Sequence, residues 1–173
     1  MKKITLFLTR HGETLENRQH VLQGQLPGTL SSLGLQQAEQ LARQLQDEQL
    51  DVIVCSDLAR SYDTALIVAQ SRGMQPHPTP LLREMDWGIY TGESLEDVDW
   101  YHLPSSVESV DDLYHRAGEF VDYLRVKYGG KRILAVGHGA FNRAVVTRLK
   151  SLEPYAMVEM AIMKNTEIIR LSC

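Results

Sequence analysis

The 173-residue sequence contains few cysteines and no long apolar run. Cys55 and Cys173 are its only cysteines, which is too few for a disulfide framework and fits a reducing compartment. The apolar stretch near residue 4 is too short for a secretory signal, and no stretch approaches the length of a membrane-spanning helix. We therefore expect a cytoplasmic protein without a membrane partner.

Clusters of positive charge are also missing. The chain has 18 basic and 22 acidic residues and a formal net charge of −4, with no run of lysine or arginine. Nucleic-acid binders usually carry a basic face, so we expect no nucleic-acid partner. Four histidines (His20, His77, His102 and His115) match no metal-ligand spacing, and we expect them to be exposed. We predict no metal site and no cofactor, and leave a homodimer open.

What the sequence does contain is a regular alternation of strand and helix patterns. Short apolar runs without polar alternation predict buried strands at residues 4–9, 52–55 and 133–137, and a more polar run predicts an edge strand at 166–171. Apolar residues at helical spacing predict helices at about 32–48, 57–71, 109–128 and 140–149. This order predicts a single α/β domain over residues 1–173, a three-layer α/β/α fold with a mostly parallel central sheet.

Arginines and histidines lie directly or shortly after the ends of three predicted strands. Arg10 and His11 follow the first, Arg60 comes soon after the second, and His138 follows the third. Sites in parallel α/β sheets form outside the carboxyl ends of the strands. We therefore expect two arginines and two histidines to meet at one edge of the sheet.

These residue types suit phosphoryl chemistry. Arginine binds the two negative charges of a phosphoryl group in bidentate fashion, and the helix that carries Arg60 should offer free backbone N–H groups in its first turn. A histidine beside two arginines should have a lowered pKa and stay neutral, as a nucleophile must. His11 and His138 both qualify, one as nucleophile and the other as hydrogen-bond donor.

A proton donor for the leaving group is expected in the irregular segment 82–88, which follows a short extended run at 79–82. Glu84 is the best candidate in this segment. It would act as a general acid in the first half-reaction and as a general base in the second.

Together these motifs resemble the histidine phosphatase superfamily, which is also called phosphoglycerate-mutase-like. The matching segments are residues 10–14 with Asn17 and Gln23-Gly24, residues 56–65, Glu84 with Gly88 and Gly92, and residues 137–139. The resemblance implies a phosphohistidine on His11, phosphate contacts from Arg10, Arg60 and His138, and proton donation by Glu84. It also implies substrate contacts at Gly12, Thr14, Asn17, Gln23, Gly24 and Gly139.

The sequence departs from the family pattern at two places. Residues 28–31 replace a common family motif, and the segment between Gly92 and the long helix is shorter than in the mutases. The short segment favours the phosphatase branch, which includes α-ribazole phosphatases and broad small-molecule phosphatases. We therefore expect hydrolysis of small-molecule phosphate esters. Mutase-type phosphoryl transfer and a catalytically silent phosphate-binding module remain alternatives.

Two further expectations concern neighbouring residues. Cys55 and Arg60 are separated by four residues without glycine, which does not match the loop of cysteine phosphatases, so we expect Cys55 to be a buried structural residue. The segment 93–112 should form an acidic rim that favours monophosphates over bisphosphates. Its acids are Glu93, Glu96, Asp97, Asp99, Glu108, Asp111 and Asp112.

Overall fold

The computed structural model describes residues 2–94 and 98–173. Five strands form one sheet: β1 (Thr5–Arg10), β2 (Val52–Ser56), β3 (Pro76–Thr79), β4 (Arg132–Gly137) and β5 (Ile168–Ser172). Their order across the sheet is β3-β2-β4-β1-β5. Strands β1 to β4 pair in parallel, and β5 runs antiparallel to β1 at the edge. The predicted mostly parallel sheet and its polar edge strand are confirmed.

Helices cover both faces of this sheet. They are α1 (Leu15–Arg18), α2 (Ser32–Gln44), α3 (Ala59–Gln70), α4 (Val110–Tyr128) and α5 (Gly139–Leu149). Successive side chains of β1 pack into two different hydrophobic clusters, one on each face of the sheet. Leu6 and Leu8 pack in the cluster that includes residues of α4 and α5. Phe7 points the other way, into the cluster that contains α2 and α3. Since side chains alternate across a strand, the chain builds the predicted three layers.

The long helix α4 begins as predicted. The Ser109 hydroxyl accepts a hydrogen bond from the backbone N–H of Asp112 at 3.0 Å and donates to the Asp112 carboxylate at 2.7 Å. Such an N-cap satisfies one of the free N–H groups of the first turn. Gly130, just after the helix, has a φ of +86°. The cap and the glycine together define both ends of the helix.

Two local predictions need correction, and one short helix was not predicted. The extended segment lies at Pro76–Thr79, and residues Pro80–Leu82 form a 3-10 helix instead of the predicted extended run. Two prolines hide the strand pattern of β3, and an edge strand tolerates them. Helix α2 ends at Gln44 rather than near residue 48, and α1 was not predicted because four residues show no periodicity. Among the described residues, no helix is both long and apolar enough to span a membrane.

Candidate active site

The pairing of β1 with β4 brings the two site histidines together. Arg10 lies opposite Gly137 in the register, and the backbone N–H of His11 donates to the Gly137 carbonyl at 3.1 Å. His138 follows Gly137 and is the N-cap residue of α5. The ring centroids of His11 and His138 are therefore only 5.2 Å apart. The predicted convergence at the carboxyl edge of the sheet is confirmed for these residues.

His11 is held in one orientation by hydrogen bonds to both ring nitrogens. Its Nδ1 lies 2.7 Å from the carbonyl oxygen of Gly12, and because a carbonyl only accepts, Nδ1 carries the hydrogen. Nε2 then keeps its lone pair and accepts a hydrogen bond from Nε of Arg60 at 3.2 Å. Burial lowers the pKa of His11 well below its usual value, and the charges of Arg60 and Arg10 add to this. His11 is therefore neutral near pH 7, as the sequence predicted, although burial has a larger effect than either arginine alone.

Arg60 is fixed by backbone carbonyls. Only 1 % of the residue is exposed. Its Nη2 donates to the carbonyl of Gly24 at 2.8 Å, and its Nη1 donates to those of Leu26 and Pro27. Burial lowers its pKa to about 10, so the side chain stays charged at neutral pH. The rigid guanidinium therefore presents a fixed positive charge beside His11.

The first turn of α3 does not offer the free N–H groups that the sequence suggested. The backbone N–H of Arg60 donates to the Pro27 carbonyl at 3.1 Å. Those of Ser61 and Tyr62 donate to the Leu58 carbonyl, each at 3.0 Å. For these three residues the prediction is wrong, because the preceding loop and the cap residue occupy their N–H groups.

Several polar atoms beside His11 are buried without a hydrogen-bond partner among the described residues. They are Nε of Arg10 and both ring nitrogens of His138. Burial lowers the pKa of His138 well below its usual value, and Arg60, His11, Arg10 and Arg116 contribute smaller effects in that order. An unsatisfied buried donor costs about 1–3 kcal/mol. An oxyanion at this position would satisfy the Nε–H of Arg10 and the single N–H of neutral His138, so these donors suit an anionic ligand rich in acceptors.

Glu84 lies across the N-terminus of α5. Its carboxylate accepts hydrogen bonds from the backbone N–H groups of Met85 at 2.9 Å, Phe141 at 3.0 Å and Ala140 at 3.1 Å. A Cβ added at Gly139 would stand 3.7 Å from both Cζ of Arg10 and Oε2 of Glu84. The space between arginine and carboxylate is thus kept open by a residue without a side chain.

These side chains open onto a cavity of about 260 Å³. Eight of the predicted site residues line it: Arg10, His11, Asn17, Gln23, Gly24, Arg60, Glu84 and Gly139. Sequence reasoning did not assign the remaining lining residues to the site: His20, Val21, Leu22, Trp87, Ala140, Arg143, Ile162 and Asn165. Arg143 could have been found, since it follows Gly139 by one helical turn. Asn165 gives no such signal, because it lies in an irregular segment.

Gly12, Thr14 and His138 do not line the cavity among the described residues. The Thr14 hydroxyl accepts from the N–H of Asn17 at 3.0 Å, and Oδ1 of Asn17 accepts from the N–H of Thr14 at 3.3 Å. At Gly12, an added Cβ would lie 2.5 Å from the carbonyl oxygen of Gly34. Thr14 thus orients Asn17, and Gly12 permits close packing behind His11.

The structure also places the four remaining histidines and Cys55. His20, His77, His102 and His115 are exposed as predicted, although His20 also lines the cavity. Burial raises the pKa of the Cys55 thiol to about 12, which makes it a poor nucleophile. Within the described part of the chain, no three His, Cys, Asp or Glu residues are grouped to hold a metal ion.

The acidic rim is not found among the described residues. No described residue of 93–112 lines the cavity, and Glu96 and Asp97 lie outside the described ranges. Asp99 pairs with His102 at 2.9 Å, and Glu108 pairs with Arg116 at 2.8 Å. These two acids are therefore engaged in local contacts instead of facing a substrate.

A family model described as the histidine phosphatase superfamily, branch 1, matches residues 6–173. The chain belongs to this superfamily. Phosphoserine phosphatase 1 of Hydrogenobacter thermophilus is 30% identical over 164 residues, which cover 87% of this chain and 78% of that protein. A probable phosphoglycerate mutase, GpmB of Yersinia enterocolitica, is 29% identical over 168 residues, covering 88% and 78%.

A solved structure of mycobacterial glucosyl-3-phosphoglycerate phosphatase has the same fold as this histidine phosphatase. The TM-score is 0.87 at 28% identity, over 99% of this chain and 91% of that one. The resemblance inferred from the motifs is confirmed. Family and relatives together support an enzyme that hydrolyses phosphoric monoesters.

Proposed function

We propose that the protein hydrolyses small-molecule phosphate monoesters by transferring the phosphoryl group first to His11 and then to water. The supporting observation is the state of His11. Its Nδ1–H donates to the Gly12 carbonyl, so the lone pair of Nε2 is directed towards Arg60 and away from its own backbone. A neutral, oriented imidazole beside two arginines meets the requirements of a nucleophile for a phosphate dianion.

In the first step, Nε2 of His11 gives up the hydrogen bond from Arg60 and attacks phosphorus, a P–N bond forms, and the P–O bond to the leaving group breaks. Arg10, Arg60 and His138 hold the phosphoryl oxygens, and Glu84 gives its proton to the leaving oxygen. In the second step, Glu84 takes a proton from water, whose oxygen attacks phosphorus as the P–N bond breaks. Inorganic phosphate leaves, and both residues return to their starting states.

Asn17, Gln23, Gly24 and Gly139 line the cavity and are proposed to contact the substrate. A cavity of about 260 Å³ suits a small ester. The relatives named above include phosphatases for phosphoserine and glucosyl-3-phosphoglycerate, so small phosphorylated acids and sugar esters are the first compounds to assay. The arginines and neutral histidines supply the charge and hydrogen bonds that the reaction needs, so we propose that it proceeds without a metal ion.

Mutase-type transfer is the second candidate, because one relative is a probable phosphoglycerate mutase. Product analysis with phosphoglycerate separates the two, since a mutase returns an isomer and a phosphatase returns inorganic phosphate. Turnover of an aryl phosphate excludes a silent binding module. A cytoplasmic location and a homodimer stay predictions from the sequence.

The test is to trap the covalent intermediate. Wild-type protein mixed with ³²P-labelled substrate in EDTA and quenched in alkali should retain label that acid then releases, as expected for phosphohistidine. His11→Ala should show neither label nor turnover. His77→Ala, which removes an exposed histidine on β3, should behave as wild type. An acid-stable label, turnover by His11→Ala, or activity that EDTA abolishes and a divalent ion restores would contradict the proposal.

A further inference from the structure

An ion pair outside the cavity lies against the segment that carries Glu84. Arg116 of α4 binds Glu108 in bidentate fashion, with Nε to Oε1 and Nη2 to Oε2 both at 2.8 Å. The two side chains are 17% and 14% exposed. Among the ion pairs of the described residues, this pair is the most shielded from water, and the bidentate Arg83–Asp57 pair is more exposed.

The pair holds the main chain on both sides of Glu84. Nη1 of Arg116 donates to the carbonyls of Leu81 at 3.1 Å and Arg83 at 2.7 Å, and Nη2 approaches the carbonyl of Glu84 itself at 3.3 Å. On the other side, Oε2 of Glu108 accepts from the N–H of Asp86 at 3.0 Å. The segment 81–86, which leaves the 3-10 helix at Leu82 and is irregular from Arg83 onwards, is thereby held by side-chain hydrogen bonds.

The same guanidinium also contacts the element that binds the Glu84 carboxylate. Its Cζ lies 4.6 Å from the ring centroid of Phe141, and the backbone N–H of Phe141 donates to Oε1 of Glu84. Arg116 therefore touches the backbone of Glu84 on one side and the start of α5 on the other. The distance between these two elements determines where the carboxyl group of Glu84 lies.

We propose that Arg116, paired with Glu108, is a positioning residue that holds Glu84 at the leaving-group oxygen. This inference rests on the proposed role of Glu84 as the general acid. Arg116 does not touch the substrate, and its effect passes through the segment 81–86 and Phe141. Misplacement of a catalytic group by about 1 Å can cost on the order of 100-fold in rate.

The first test compares two leaving groups by kcat/KM, which reports the steps up to phosphoryl transfer. Lysine at position 116 keeps the charge but cannot bridge Glu108 and three carbonyls at once. We expect Arg116→Lys and Arg116→Met to lose at least about 10-fold on glycerol 2-phosphate, whose alkoxide needs a proton, and less than about 3-fold on p-nitrophenyl phosphate. Arg125→Met is the control, because Arg125 lies on the same helix but pairs with Asp122 on the surface.

The second test combines Arg116→Lys with Glu84→Gln. Glu84→Gln has no acidic group left for Arg116 to position. The double variant should therefore be no slower on glycerol 2-phosphate than Glu84→Gln alone. Losses that multiply, or that are equal on both substrates, would overturn the inference and leave Arg116 a merely structural residue. If Arg116→Met unfolds, Arg116→Lys and Glu108→Gln carry the comparison, with thermal unfolding as the check.

The same data separate this inference from the proposed function. If the wild type forms no phosphohistidine, or if Glu84→Gln affects both substrates equally, the proposed mechanism itself fails. If Glu84→Gln discriminates between the substrates but the Arg116 variants do not, only the positioning role is wrong.

Discussion

Individual residues of the site differ in how far their hydrogen-bonding groups are already occupied. Nδ1 of His11 and the carboxylate of Glu84 have fixed backbone partners, whereas Nε of Arg10 and the ring of His138 have none among the described residues. The groups proposed to make and break bonds are thus oriented in advance. Of the groups proposed to hold oxygens, Arg10 and His138 keep a buried donor free for a ligand, whereas the nitrogens of Arg60 already donate to His11 and to backbone carbonyls.

Glu84→Gln tests whether Glu84 is the proton donor. The variant keeps the shape of the side chain but has no acidic proton, so alkyl esters should be hydrolysed roughly 10²- to 10⁴-fold more slowly. The rate with p-nitrophenyl phosphate should change far less, because its phenolate leaves without protonation. Steady-state kcat/KM for the two substrates measures the difference.

Asp86→Asn is the matched control for this variant. Asp86 is the nearest acid in the same segment, but it is exposed and does not line the cavity. For Asp86→Asn, the ratio of kcat/KM for alkyl esters to kcat/KM for p-nitrophenyl phosphate should equal that of the wild type. Should Asp86→Asn lower the ratio while Glu84→Gln leaves it unchanged, Asp86 would be the proton donor instead.

The residues that strand order alone could assign are those next to strand ends. His11 and His138 follow directly from where β1 and β4 stop, because parallel strands share one edge. Asn165 could not be assigned, since it reaches the site through a hydrogen bond from its side chain to the carbonyl of His11. That contact depends on how a distant irregular segment packs. The supporting role of Thr14 was missed for a related reason, because its cap belongs to a helix of four residues.

Among the elements, the loop after β1 and the start of α2 approach each other unusually closely. A Cβ added at Gly34 would lie 2.0 Å from the carbonyl oxygen of Glu13. Facing it, Gly12 is equally restricted by Gly34. Two glycines on separate elements thus allow the helix to support the loop that carries His11.

We therefore expect Gly34→Ala to destabilise the protein, although replacing glycine by alanine in a helix usually stabilises it. Alanine in a helix normally gains about 1 kcal/mol over glycine. Here the added methyl group must displace the backbone, and we expect a loss of about 1–3 kcal/mol in the free energy of unfolding. Urea titration gives this value. Gly118→Ala in α4 is the control, because its added Cβ meets only the flexible side chain of Arg148. Stabilisation by both variants would disprove the close contact.

Secondary-structure prediction succeeded for long elements with a clear hydrophobic periodicity and failed for short ones. Helix α4 spans 19 residues with a buried apolar stripe, and both its start and its end were recognised. Strand β3 has four residues and two prolines, so its apolar pattern is absent even though it pairs with β2 over its full length. Its position at the sheet edge, which a single sequence does not reveal, makes this composition acceptable.

For the whole molecule, two buried neutral histidines make stability depend on pH. The pKa values of His11 and His138 lie well below the usual 6.5 in the folded state, mainly because of burial. Below pH 6.5 the unfolded chain therefore binds protons that the folded protein does not. The free energy of unfolding then falls as the pH falls, and above this range the two histidines contribute no pH dependence.

Urea titrations at pH 7.5, 6.5 and 5.5 measure this dependence. Each histidine should contribute a slope of up to about 1.4 kcal/mol per pH unit below its unfolded pKa. His138→Gln removes one titrating group, so its stability should fall less steeply between pH 6.5 and 5.5 than that of the wild type. Identical slopes would mean that His138 takes up its proton equally in both states.

The hydrogen bonds around Arg10 and His11 have a consequence for synthesis on the ribosome. Arg10 donates to the carbonyl of Met163, 153 positions later, and Asn165 donates to the carbonyl of His11 across 154 positions. His11 is therefore synthesised well before these two partners. A nascent chain lacks both contacts until residues 163–165 have left the exit tunnel, although His11 can already contact Gly12, Arg60 and Gly137. We expect a chain truncated before residue 163 to be less active, because Arg10 and the His11 carbonyl then lose these two partners.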